Sequence, residues 1–157
     1  PDSKTIAGRT FANPRVDATE PRKRAWRAAE IPAANGQANA RSIVRAQTAM
    51  ANGGQAFGKT IMSEAGTKRI FEKQSEGPDL VLGVPLTFGM GYGLNGEATP
   101  ISPNKNTCFW GGYGGSSVIV DQDANLCFSY VMNKMETGLL GDPRGFGLAA
   151  AMYMAMA

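Results

Sequence analysis

The texture of the chain changes at Gly77-Pro78, and that change constrains the fold more than any other feature. Before it, apolar residues recur at helical spacing; after it, β-branched and aromatic runs alternate with glycine. Asn39 is placed to cap a helix over Ala40 to Ala51, with Ile43, Ala46, Gln47 and Met50 along one stripe. Asn52-Gly53-Gly54 stops that helix, because glycine takes the left-handed conformation a helix end needs. A second helix is expected from Ser63 as N-cap to about Lys73, burying Ala65, Ile70 and Phe71. Residues 1 to about 24 lack periodicity and hold Pro1, Pro14 and Pro21, so an irregular segment is expected there. A short helical turn follows over Ala25 to Ile31, ended by Pro32, and Ala33 to Gly36 is a turn.

Downstream, strands are expected over Leu86 to Leu94, Thr107 to Tyr113, Ser116 to Asp121 and Leu126 to Asn133. Asp121 to Asn125 reads as the hairpin loop joining the last two. Pro143 suits the first position of a closing helix that carries Leu148, Met152 and Met156. The order is helices, then an antiparallel meander, then a terminal helix. That is an α+β pattern, with the sheet covered by at least one helix.

Two absences narrow the chemistry. The chain has no histidine, which excludes a Ser-His-Asp triad, a Cys-His pair and any His-ligated metal site within it. Its two cysteines, Cys108 and Cys127, form no CxxC pair, so they read as buried thiols of a reduced, cytoplasmic protein. No apolar run approaches the ~20 residues that span a bilayer, so no membrane span is expected. Net charge is +3, divided as +6 over residues 1–76 and −3 over 77–157. The cluster Arg22, Lys23, Arg24, Arg27 lies in no recognisable nucleic-acid motif and reads as a solvated helix start, not a nucleic-acid partner site. The chain opens on Pro1 and has no methionine before Met50, so it reads as a fragment or a processed product.

Three motifs match well-known patterns without the context those patterns need. Gly53 to Thr60 fits G-x-x-x-x-G-K-[ST], but a helix precedes it where a phosphate loop needs a buried strand. A helix cap followed by a short connection is expected instead. Gly91-Tyr92-Gly93-Leu94-Asn95-Gly96 fits G-x-G-x-x-G, yet Glu97-Ala98-Thr99-Pro100 cannot start the required helix. Those glycines are expected where another backbone or a ligand approaches a strand closely. Ser102-Pro103-Asn104-Lys105 fits S-x-x-K, but Pro100 and Pro103 make it a loop, and a solvated Lys105 stays protonated.

The remaining motif is Phe109-Trp110-Gly111-Gly112-Tyr113-Gly114-Gly115-Ser116-Ser117, followed by a strand, a hairpin and Ser129 to Lys134. It resembles the third catalytic motif of the class C β-lactamase-like serine hydrolases, in particular their family VIII carboxylesterase branch. Trp26 to Gly36, Ala40-Arg41 through Gly54, Gly77 to Gly83 and Phe88 to Tyr92 resemble the same branch. The likeness runs over almost the whole chain from about residue 10.

The resemblance implies the C-terminal portion of the β-lactamase/transpeptidase-like fold, with residues 1–157 forming part of one hydrolase domain. It implies ester hydrolysis through an acyl-enzyme, a small-molecule ester as substrate, and no cofactor or metal. In that family the helical S-x-x-K and the assisting Tyr lie upstream, so an upstream segment or chain of the same protein is the expected partner. This chain alone is then expected to be inactive. Trp110 takes the place of the β-lactamase lysine, and Gly111 and Gly112 follow it at the pocket edge. The backbone N–H of Tyr113 is the implied oxyanion-hole donor, and Trp110 and Tyr113 wall the substrate. Loss of the lysine favours neutral esters over penicillins. An acyltransferase, a β-lactamase or peptidase on the same scaffold, and a non-catalytic binding fragment are the alternatives.

Overall fold

A computed structural model describes residues 2–15 and 17–157, which fall into two compact units. The first comprises Pro1–Ala38 with Asp79–Val84, and the second Asn39–Pro78 with Pro85–Ala157.

The first unit departs from the expected irregular segment. It contains helix α1, Ile6–Ala12, whose Thr5 side chain accepts a hydrogen bond from the Gly8 N–H at 2.9 Å. Pro14 follows the end of this helix rather than preventing it, and Pro21 sits inside a 3₁₀ turn over Glu20–Arg22. Pro1 itself lies outside the described residues. Helix α2 covers Arg24–Ala28, shorter than expected. It ends where the Asn35 amide donates to the carbonyls of Trp26 and Ala29. Of the basic cluster, Lys23 pairs with Glu20 at 2.6 Å and Arg27 donates to the carbonyls of Pro21 and Arg22. Asp79 closes its own loop, accepting from the N–H groups of Val81 and Leu82.

In the second unit, helix α3 covers Ala40–Ala51 with a reciprocal cap: Asn39 accepts from the Ser42 N–H, and Ser42 Oγ accepts from the Asn39 N–H. Ala49 and Ala51 are its buried residues, while Ala46, expected in the stripe, faces solvent. The phosphate-loop look-alike then folds as a hairpin of β1, Gln55–Ala56, and β2, Lys59–Thr60. Phe57 and Gly58 turn it with φ of +53° and +74°, the pair of left-handed residues a tight hairpin favours. Helix α4 spans only Glu64–Lys68 and passes into a 3₁₀ turn at Arg69–Phe71. Ile70 is buried as expected, but Ala65 is exposed and Thr67 takes the inward position. Gln122 explains the choice, because its amide donates to the carbonyls of Met50 and Thr67.

Six antiparallel strands form one sheet in chain order: β3 (Ser75–Pro78), β4 (Pro85–Phe88), β5 (Gly93–Leu94), β6 (Thr107–Gly111), β7 (Ser117–Asp121) and β8 (Leu126–Tyr130). The single strand expected over Leu86 to Leu94 is two strands. Gly91 turns with φ +81°, and the Met90 N–H leaves the ladder to bond the Ile70 carbonyl at 3.0 Å. On one face Cys108, Val120 and Cys127 stand in register and pack with Ala51 and Ile70, so α3 and the α4 turn cover that side. The opposite face is met by helix α5, Pro143–Met156. Its inward positions are Gly145 and Ala149, while Leu148 and Met156 are exposed. The contact is close because a Cβ on Gly145 would lie 2.9 Å from the Tyr130 ring. Among the described residues no helix is long and apolar enough to cross a membrane.

Asp121, fully buried at the end of β7, anchors this arrangement. Its carboxylate accepts from the Ser102 and Tyr153 hydroxyls, the Asn104 amide and the Ala124 N–H, at 2.9–3.1 Å. Burial pushes this carboxyl up, but the bonds from Asn104, Ala124, Tyr153 and Ser102 together hold it below its ordinary 3.8. Asp121→Ala leaves these donors unpaired and is expected to lower the unfolding free energy by about 3 kcal/mol, measured by urea denaturation. A depressed folded-state pKa means stability that is present above the ordinary value and lost as pH falls through the folded one. Wild type should therefore lose stability more steeply than Asp121→Asn below about pH 4.

Candidate active site

Strand β6 carries Phe109 into the core and presents Trp110, half-buried, on the side of α3. The Trp110 ring tilts onto Phe88, with centroids 5.4 Å apart and planes at 49°. Trp110, Gly111 and Gly112 border a depression of about 180 Å³ together with Ile43, Ser116 and Val118.

Beyond Gly111 the chain turns back on itself, with the Gly112 N–H bonded to the Ser116 carbonyl and the Gly115 N–H to the Gly112 carbonyl. A strap, residues 134–142, crosses this turn. The Gly114 N–H donates to the Gly138 carbonyl, and the Glu136 N–H donates to the Gly114 carbonyl, both at 2.9 Å. Glycine is needed because the strap occupies the space side chains would take. A Cβ on Gly111 would lie 2.4 Å from the Leu140 carbonyl carbon, and one on Gly115 2.1 Å from Asp142 Oδ2. At Gly111 and Gly112, the pair placed at the pocket edge, the family resemblance implies room for substrate. At Gly111, Gly114 and Gly115 it is the protein's own chain that approaches.

The N–H groups of Gly112, Gly114 and Gly115 are thus all used, whereas the Tyr113 N–H has no acceptor among the described residues. Its side chain is 59% exposed. Asp142 holds the turn from behind: it caps α5, accepting from the N–H groups of Arg144 and Gly145, and binds the Arg144 guanidinium at 2.5 Å. Arg144 also donates to the Lys134 carbonyl, so one guanidinium ties helix, carboxylate and strap together. The Arg144 hydrogen bond holds the Asp142 carboxyl below its ordinary range.

The S-x-x-K look-alike is placed elsewhere. Ser102 donates to Asp121, and Lys105 is exposed in the loop before β6. Cys108 and Cys127 are free thiols, pushed by burial up to about 12 and about 11, so neither is a nucleophile at neutral pH. Among the described residues no cluster of His, Cys, Asp and Glu is placed to hold a metal ion. Sequence reasoning did not single out Phe88, Asp142 or Arg144 for the site. Only the Pro143 helix start hinted at Asp142 as a cap.

Residues 2–151 match the Beta-lactamase family. The chain belongs to that family. Over 120 residues, 75% of its length, this beta-lactamase-family chain is 37% identical to "Esterase/beta-lactamase LipL" of Mycobacterium tuberculosis, of which the match covers 27%. It superimposes on a family VIII carboxylesterase with a TM-score of 0.85 and 39% identity, covering 92% of this chain and 39% of that one. A penicillin-binding protein homologue from Caulobacter crescentus matches with a TM-score of 0.75 and 35% identity, over 82% of this chain and 35% of the other. The fold is therefore β-lactamase/transpeptidase-like, and the chain spans well under half the length of these relatives.

Gly115→Ala introduces a Cβ at φ +112° into the space of the Asp142 carboxylate. It is expected to cost about 3 kcal/mol and to free the strap. Urea denaturation reads the first, and faster amide hydrogen exchange at Gly114 and Glu136 reads the second.

Proposed function

We infer that this chain is the C-terminal part of a serine carboxylesterase and works with an upstream segment that carries the nucleophile. In the complete enzyme the serine attacks an ester carbonyl, the alcohol leaves as the acyl-enzyme forms, and water releases the acid. The observation that carries this reading is the Tyr113 N–H, left without an acceptor in a turn whose neighbouring amides are all bonded. A fixed main-chain donor of that kind stabilises the charge developing on a tetrahedral intermediate. Just before it in the chain, the Trp110 indole is an uncharged wall of a depression that Gly111 and Gly112 also border, though Tyr113 itself does not line it. An uncharged apolar wall suits a neutral ester better than an anionic substrate.

Two further observations support the division of labour. The one S-x-x-K of this chain is a loop whose serine is bonded to Asp121, so the nucleophile is assigned to an upstream segment. The match to the family VIII carboxylesterase covers 39% of that longer protein. The free thiols of buried Cys108 and half-buried Cys127 suit a reducing compartment, the cytoplasm. β-Lactam hydrolysis is the second reading, favoured by the relative named esterase/beta-lactamase.

Treatment of the purified protein with a fluorophosphonate, followed by intact mass, tests the assignment. The label is expected on a polypeptide carrying the upstream segment and not on residues 1–157 alone. Hydrolysis of p-nitrophenyl butyrate by the isolated chain, blocked by that label, would overturn it. In the assembled enzyme p-nitrophenyl butyrate should turn over in preference to nitrocefin. Tyr113→Pro, which deletes the N–H, should lower kcat by about 10²–10³, whereas Tyr113→Phe should change it only slightly. Equal effects of the two substitutions would remove the amide from the mechanism.

A further inference from the structure

Two depressions meet at Trp110. The smaller, already described, has an aliphatic wall formed by Ile43 and Val118. The larger, about 260 Å³, is lined by Phe88, Gly89, Gly91, Tyr92 and Trp110. Trp110 is the residue both share. The walls of the larger depression are held in place: Phe88 stacks on Trp110, and the Tyr92 hydroxyl donates to Gln47 on α3 at 2.5 Å. Gly91 has no atom within 4 Å of the direction a Cβ would take, so the backbone stays open there. This corner contains the start of the G-x-G-x-x-G pattern, which no nucleotide reading absorbs.

The chemistry of the two depressions differs. Three aromatic side chains line one, offering ring faces and edges to a flat aromatic group. The other offers branched aliphatic carbon, with Ser116 among its lining residues. An ester carbonyl carbon bears two diverging arms, acyl and alkoxy. A rigid partition between two depressions sorts such arms.

Resting on the esterase reading above, we propose that the two depressions are the two arms of one substrate site, divided by Trp110. The aliphatic depression takes a short alkyl arm and the larger one an aromatic arm, as in an aryl ester of a short fatty acid. Ile43 is then a specificity-determining residue, setting the length of the alkyl arm from its position on α3. Phe88 is a positioning residue that holds the partition.

Binding tests this without turnover. Trp26 and Trp110 are the two tryptophans of residues 1–157, and the Trp110 signal of the assembled enzyme is read as the emission lost on Trp110→Phe. The probes are benzyl propyl ketone, in which CH₂ replaces the ester oxygen of phenyl butyrate, and benzyl methyl ketone. Each buried methylene is worth about fourfold in affinity, so the propyl ketone should bind about fifteenfold tighter. Ile43→Phe should erase that difference with little effect on the methyl ketone. Ile43→Ala should keep it and extend the preference to benzyl pentyl ketone. Phe88→Leu should weaken both ketones alike. A thermal melt of each variant confirms folding, and the opposite signs of the two Ile43 variants separate filling from damage. An unchanged Trp110 emission, or a chain-length preference indifferent to Ile43, overturns the proposal. Ketone binding as expected, with no ester turnover by the assembled enzyme, would sink the esterase reading and leave the two-arm site. Turnover with a chain-length preference untouched by Ile43 would do the reverse.

Discussion

The buried carboxylate of Asp121 is the interaction on which the rest of the second unit depends. A charge withdrawn fully from water is costly unless donors surround it, and no ion pair reaches this one among the described residues. Its donors come from the loop after β5, the β7–β8 turn and helix α5. Each of those segments is weakly determined by itself. The loop holds two prolines, Pro100 and Pro103, and a glycine, Gly96, and α5 is apolar on its exposed side as well. Shared satisfaction of one carboxylate therefore fixes three placements at once.

Helix α5 is pinned at both ends by the same device. Tyr153 ties its later turns to Asp121, and Asp142 caps its first turn while gripping Arg144. The second anchor reaches the candidate site, because Asp142 Oδ2 fills the space beside Gly115 and Arg144 holds the Lys134 carbonyl. The strap cannot shift without disturbing the cap, and the Gly112–Gly115 turn cannot shift without disturbing the strap. A preorganised amide at Tyr113 is thus a consequence of how a helix is capped.

Elements with a strong local signature were legible in the sequence. Asn39, Ser63 and Pro143 mark helix starts that the structure keeps, since capping depends on the neighbouring few residues. The order of the last three strands and the β7–β8 turn were equally clear. What stayed hidden depended on partners distant in sequence. Strand β3 is Ser-Glu-Gly-Pro, with no apolar pattern at all, and exists because it pairs with β4. Thr67 displaced Ala65 from the core because Gln122 bonds its carbonyl from 55 residues away. In α5 the buried positions are the small residues Gly145 and Ala149, which no apolar pattern marks, and Gly145 lies against the Tyr130 ring. The Trp110-Gly111-Gly112-Tyr113 motif was visible as a motif; the strap that makes its glycines necessary was not.

That strap changes what a glycine-rich catalytic turn means here. A run of glycines beside a pocket invites the reading that substrate needs the room. In this chain three of the four glycines between 111 and 115 are filled from behind by Leu140, Met135 and Asp142. Backbone presses on backbone at Gly111, and the Met135 and Asp142 side chains fill the space at Gly114 and Gly115, so that the turn is held without side chains of its own. Rigidity is what an oxyanion donor requires, because an amide that must reorganise during the reaction gives back much of its electrostatic advantage. On the proposed reading, the substrate side is shaped by residues outside the turn: Trp110, its prop Phe88, and Ile43 across the depression. That proposal gives holding the amide and choosing the substrate to different residues, so that the second set can vary without loosening the first.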